Sequence, residues 1–168
     1  MQKCTLALGC FWKPEENFKS KPGILKTEVG YAGGSSAKTT YEEVCTGNTG
    51  HAEVVRLTFD ENKISFKKIL DLFFKMHDPT QKDMQFPDVG TQYRSEIFYE
   101  NDEQRDLAFK IKDKFNKIHN NKIETNTLPI LLNSTTNEDF NKPRDEALLG
   151  NKSKTNKLLS DTILDGEK

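Results

Sequence analysis

Apolar residues along this chain recur with a period that switches repeatedly between the two residues of a strand and the roughly 3.6 of a helix. That switching restricts the fold more than any single motif. Residues 4–8 form a short, mainly apolar run ending at Gly9, the mark of a buried strand. Residues 11–20 place Phe11, Trp12 and Phe18 near helical spacing, with Pro14, Glu15 and Glu16 suited to a first turn and Pro22-Gly23 to the stop. Residues 24–31 alternate as a strand that runs into Gly33-Gly34-Ser35-Ser36. A helical turn is predicted over 40–45, a strand over 51–59, and a helix after a Ser65 cap, where Phe66, Ile69, Leu70, Phe73 and Phe74 share one face. Residues 77–90 read as a long loop, 92–99 as a strand and 103–118 as a helix. A last strand within 123–132 carries Pro129, which requires an edge position. Strand, helix, two strands, helix, strand, helix predicts an α+β protein: a two-layer sandwich of the ferredoxin-like plait type, its mixed sheet covered by helices.

Composition narrows the class. The chain has 168 residues, 11 Phe and 4 Tyr, too aromatic for wholesale disorder despite a mean hydropathy of -0.75. One domain over residues 1–140 and a polar, poorly packed tail over 141–168 are expected. A formal net charge of -1 argues against nucleic-acid binding by bulk electrostatics. No apolar run approaches the ~18 residues of a membrane span, and the N-terminus is too polar by Lys13 for a signal peptide. Three cysteines do not make a secreted disulfide framework, so a cytoplasmic protein with free or catalytic thiols, acting as a monomer, is expected. His51, His77 and His119 lack metal-ligand spacing, and no metal site is expected.

Cys10 is the most suggestive residue locally. It follows a strand and a glycine at the predicted start of a helix, where free N–H groups and the helix dipole favour an anion. A thiol pKa below the ordinary ~8.5 is therefore expected. The competing reading is a small buried hydrophobe.

Six blocks follow one another: Gly9-Cys10-Phe11-Trp12, residues 30–34 (GYAGG), residues 41–47 (YEEVCTG), residues 49–53 (TGHAE), His77-Asp78-Pro79, and residues 88–95 (DVGTQYRS). In order and spacing the chain resembles the A-class peptide methionine sulfoxide reductases, which reduce the S-epimer of methionine sulfoxide. The resemblance is close over residues 5–100. It implies that Cys10 attacks the sulfoxide sulfur, that Glu53 protonates its oxygen, and that Tyr41 and Tyr93 assist there. It implies further that Phe11 and Trp12 form the apolar wall for the S-methyl group and that Asp88 binds substrate. Substrates would be oxidised proteins or free methionine sulfoxide. No cofactor would be bound, and an external thiol reductant, thioredoxin or an equivalent, would restore the enzyme.

The chemistry makes the same demands. A sulfoxide oxygen leaves only if protonated as sulfur is attacked, so the site needs a nucleophile and an acid still protonated near neutral pH. A carboxyl buried among aromatic rings meets the second need, and neutral phenols can donate to the oxygen. Taken alone, Glu53 could be an outward-facing solvated residue, Tyr41 and Tyr93 core-edge aromatics, Asp88 a turn residue and Arg94 an ion-pair partner.

Two features depart from the family pattern. No cysteine follows Cys45, whereas many members carry a resolving cysteine in a C-terminal tail. Cys4 and Cys45 are expected to be structural, with the reductant acting on Cys10 directly. The aromatic segment with Tyr and a His-Gln pair is also absent; residues 133–140 hold neither Tyr nor His. A thiol peroxidase or redox sensor, or a non-catalytic module keeping the pocket, therefore remain alternatives.

Overall fold

The computed structural model describes residues 1–118 and 132–134. Strand β1 (Gln2–Leu8) leads through a tight turn into α1 (Trp12–Lys19), followed by β2 (Ile24–Ala32), the one-turn helix α2 (Tyr41–Cys45) and β3 (Ala52–Phe59). Then come α3 (Phe66–Met76), a small hairpin of β4 (Met84–Gln85) and β5 (Asp88–Val89), a 3-10 turn (Thr91–Tyr93), β6 (Ser95–Tyr99), α4 (Asp102–Ile118) and β7 (Leu132–Ser134). The main sheet runs β2-β3-β1-β6-β7, antiparallel at every pair except β6 and β7, which are parallel. It is a mixed sheet, as predicted.

Alternation decides the two faces. Leu6 and Leu8 of β1, Val29 and Tyr31 of β2, Val55, Leu57 and Phe59 of β3 and Ile97 of β6 share one core with Phe18 of α1 and the apolar face of α3. The neighbouring positions Ala7, Ala32, Ala52, Val54 and Phe98 form a second, smaller cluster on the opposite face. All five predicted core residues of α3 are buried. At roughly 1.5–3 kcal/mol for each side chain removed from water, they contribute on the order of 10 kcal/mol before chain entropy is charged against it. Ser65 caps that helix by accepting the Lys68 N–H at 3.2 Å.

Three segments differ from the sequence reading. Residues 92–99 are not one strand: Tyr93 N–H bonds the Gly90 carbonyl and Arg94 N–H the Thr91 carbonyl, coiling the chain before β6 begins. Tyr93 falls in step with Ser95 and Ile97 only by number. Residues 77–90 are a braced hairpin rather than an open loop. The last strand predicted over 123–132 lies outside the described residues except for Leu132, which pairs with Ile97 and carries the edge strand on through Asn133 and Ser134. Residues 133 and 134, read as the start of a polar run, thus belong to the sheet; the tail over 141–168 lies outside the described residues. Among the described residues no helix is long and apolar enough to cross a membrane.

Candidate active site

The site forms where β1 hands over to α1. Gly9 makes the turn at φ +92°, and a Cβ there would lie 2.9 Å from Cβ and Cγ of Gln85. Glycine lets the β4–β5 hairpin close onto the turn that carries Cys10. Phe11 and Trp12 follow. Phe11 is buried against Tyr31, ring centres 6.0 Å apart, and meets Trp12 edge to face at 5.2 Å. Trp12, 43% exposed, presents the open ring at the mouth, with Phe11 packed beneath it.

Glu53 shares the parity of Val55 and Leu57, so it points into the helix-covered layer, and only 4% of it is exposed. Its Oε2 accepts the Phe11 N–H at 3.1 Å, which sets the carboxyl beside the Cys10 thiol, close enough for each to shift the other's titration. Burial is the main cause that lifts the carboxyl pKa to about 7, with the nearby Asp88 charge adding to it; the Phe11 N–H and the Cys10 thiol pull the other way. Tyr31 stands directly opposite Glu53 in the β2–β3 register and is fully buried.

The expected low pKa of Cys10 is overturned. Burial first, then the Glu53 charge, push the thiol up to about 12, against the opposing hydrogen bond from the Trp12 N–H. The magnitudes explain the outcome. A helix terminus contributes about 0.3–1 kcal/mol, less than one pKa unit at 1.36 kcal/mol each, whereas burial can shift a group by up to 3–5 units. The resting site therefore holds a neutral thiol beside a carboxyl that ionises near neutrality.

Two phenols complete the group. Tyr41 opens α2, a helix too short to stand alone, and a capping box fixes it: Thr40 Oγ1 accepts the Glu43 N–H at 3.2 Å and Glu43 Oε2 accepts the Thr40 N–H at 2.8 Å. The Tyr41 hydroxyl hydrogen-bonds the Cys45 sulfur, which with burial and the charges of Glu53 and Cys10 raises the phenol above its ordinary range. Tyr93, on the 3-10 turn, is raised by burial first and then by Glu53, Asp88 and Cys10. Asp88, on β5, is itself raised by burial. The structure thus brings Cys10, Glu53, Tyr41, Tyr93 and Asp88 within electrostatic reach of one another.

Some features were not foreseen. Cys4 is buried in the core as expected, but Cys45 is exposed: α2 turns Val44 inward, so the next residue faces out. Tyr31, inside the 30–34 block, had been given no role, and Gln85 had no signal beyond loop position. Arg94 is the ion-pair partner expected, bonding Glu96 at 2.7 Å. It also donates to the Thr91 and Gly50 carbonyls at 3.1 and 3.0 Å, tying the Tyr93 turn to the loop ahead of Glu53. His51 and His77 are structural. His51 Nε2–H donates to the Ser36 carbonyl at 2.9 Å, and His77 bridges the Phe73 carbonyl at 2.8 Å and the Ser95 hydroxyl at 2.7 Å.

A cysteine paired with a protonatable carboxyl can take an oxygen atom from a substrate and supply the proton that oxygen needs, which is the work of a thiol-dependent reductase. Residues 2–140 match the family model described as peptide methionine sulfoxide reductase. The chain is 53% identical over 129 residues to the peptide methionine sulfoxide reductase MsrA of Pelagibacter ubique, covering 76% of this chain and 88% of that one. It is 50% identical over 132 residues to MsrA of Methanosarcina acetivorans, covering 77% and 70%. Among solved structures, reduced Mxr1 from Saccharomyces cerevisiae superposes with a TM-score of 0.73 at 34% identity, over 82% of this chain and 77% of that chain. Mxr1 in complex with Trx2 gives 0.61 at 25% identity, over 84% and 81%. The chain belongs to the peptide methionine sulfoxide reductase family, and it is a thiol-dependent reductase of methionine sulfoxide.

Proposed function

We propose that Cys10 is the nucleophile and Glu53 the proton carrier in reduction of methionine-S-sulfoxide, protein-bound or free. The observation that carries this reading is the buried Glu53 carboxyl, held by the Phe11 N–H at 3.1 Å beside Cys10. The Cys10 sulfur attacks the sulfoxide sulfur. The thiol proton passes through Glu53 to the sulfoxide oxygen, while Tyr41 and Tyr93, held neutral, donate to that oxygen. The oxygen then moves to the Cys10 sulfur as the bond to the methionine sulfur breaks. One thiol and one sulfoxide thus give one sulfenic acid and one thioether; Cys10 loses two electrons and the substrate gains them. Trp12, backed by Phe11, walls the S-methyl group, and Asp88 binds the substrate's polar part.

A thiol of the reductant attacks the sulfenic sulfur and releases water, and the reductant's second thiol frees Cys10. The Trx2 complex of Mxr1 supports thioredoxin as that reductant. The enzyme works as a monomer with no bound cofactor, its electrons coming from the external thiol. Free thiols at all three cysteines fit a cytoplasmic enzyme. The strand order β2-β3-β1-β6 with its intervening helices supports a ferredoxin-like plait. The matched span supports a catalytic domain over 1–140 with a tail beyond it. The family match over residues 2–140 favours the reductase over a thiol peroxidase.

Turnover of S- and R-sulfoxides with dithiothreitol tests the assignment. S-selective activity lost in both Cys10→Ser and Glu53→Gln is the expected result; unchanged activity in Glu53→Gln would remove the acid role.

A further inference from the structure

Among the described residues seven large apolar side chains are exposed, and four of them, Trp12, Tyr41, Phe86 and Val89, stand on the segments that bring in Cys10, Tyr41 and Asp88. Phe86 and Val89 are the most exposed of these four, at 79% and 72%, and they flank Asp88 on the hairpin. The hairpin is rigidly held. Gln85 accepts the Asp78 N–H at 2.9 Å and donates to the Asp78 carbonyl at 2.8 Å. The Phe86 N–H reaches Gln81 Oε1 at 2.8 Å, and the Gly90 N–H reaches the Asp83 carbonyl at 2.9 Å. Gln85 also fills the space left by Gly9, so the hairpin is seated against the turn carrying the nucleophile. Apolar side chains held out to water by a braced loop expose surface that folding alone gives no reason to expose, and such surface marks an interaction site. Because the loop is already ordered, docking on it costs little further entropy.

We infer that Phe86 and Val89 form a docking ledge for an apolar side chain next to the oxidised methionine in an unfolded polypeptide. This substrate class rests on the reductase reading above. Continuity identifies the occupant: on one short hairpin Asp88 faces the reacting centre while Phe86 and Val89 stand out to solvent, so the residue beside a sulfoxide seated at Cys10 has this ledge at the rim of the site. Unfolding exposes methionines together with the apolar segments that a folded core hides.

The test compares kcat/KM, with dithiothreitol, for two short peptides carrying methionine-S-sulfoxide between Phe and Leu or between Ser and Gly, alongside free N-acetyl-methionine-S-sulfoxide. Wild type should prefer the apolar-flanked peptide about tenfold, the discrimination one partly buried side chain provides. Phe86→Ser with Val89→Ser should bring the ratio near one, and Phe86→Leu with Val89→Leu should keep it. A ratio unaltered by the serine pair overturns the inference, as does a wild type that reduces free sulfoxide with no flank preference; the reductase reading survives both. A wild type that reduces none of the three sinks the reductase reading and the ledge with it. Sedimentation showing a dimer abolished by the serine pair would assign the ledge to a second copy of the chain, also overturning the inference.

Discussion

Glu53 accepts the Phe11 N–H at 3.1 Å, so the proposed acid is tied to the backbone of the residue next to the proposed nucleophile. The tie links β3 to the first turn of α1, elements 42 residues apart in sequence. Any movement of the helix start relative to the sheet changes the distance between thiol and carboxyl.

The pair must hold one proton to react, since one thiol proton ends on the transferred oxygen. Because the carboxyl ionises near 7 and the thiol near 12, the singly protonated pair prevails between those values. Single-turnover reduction should therefore fall as the pH drops below about 7 and stay level well above it. Glu53→Gln should lower the rate at least a hundredfold, in the range of a lost general acid, and abolish that acid limb. Stopped-flow measurement of methionine release across pH checks both.

Stability should respond to pH through two opposed groups. Glu53 holds its proton up to about 7 when folded but releases it near 4.5 when unfolded. Its contribution is present below 4.5 and lost as pH rises through 7, on the order of 3 kcal/mol. His77, pushed down to about 4 chiefly by burial, binds a proton near 6.5 only when unfolded. Its contribution is present above 6.5 and lost as pH falls through 4, of similar size. Glu53→Gln should leave a protein that weakens toward acid, and His77→Gln one that weakens toward alkali. Urea midpoints from pH 4 to 8 measure the two slopes.

Thr40→Ala removes the side-chain acceptor of the α2 capping box and should cost about 1 kcal/mol of stability. A helix of five residues has no reserve against that loss, so Tyr41 should shift and kcat/KM fall several-fold more than the change in unfolding would suggest. Thr40→Ser should restore both. Equilibrium denaturation and steady-state kinetics on the same preparations separate the effects.

The three thiols should label in a fixed order in the native protein: Cys45 fast, Cys10 slowly because it is neutral and partly buried, Cys4 only on unfolding. Mass spectrometry after one equivalent of sulfoxide, without reductant, should show sulfenic acid on Cys10 and no disulfide. A Cys10–Cys45 bridge would instead make Cys45 the resolving residue, and Cys45→Ser would then stall after one turnover with thioredoxin.

Periodicity was enough to locate the start and buried face of α3, because a cap at Ser65 and five apolar positions on one face leave a single answer. It failed at Tyr93, where a 3-10 turn keeps step with a strand for a few residues. Cys10 was singled out by its place after a strand and a glycine, and Glu53 only by the family resemblance, as the proposed nucleophile and acid. Their charge state was not legible, since burial and mutual repulsion depend on neighbours far apart in the chain. The helical turn over 40–45 was legible, but not which side of it meets the core, and with Val44 turned inward Cys45 faces out.

Gly9 carries a consequence for anyone wishing to transplant this chemistry. The missing Cβ is the socket for Gln85, so the short cysteine motif and the distant hairpin interlock as parts of one joint. Grafting residues 9–12 onto another strand–helix junction would carry Cys10 without its counterpart piece. A working transfer would have to move both segments together, with any side chain at position 9 acting as a wedge between them.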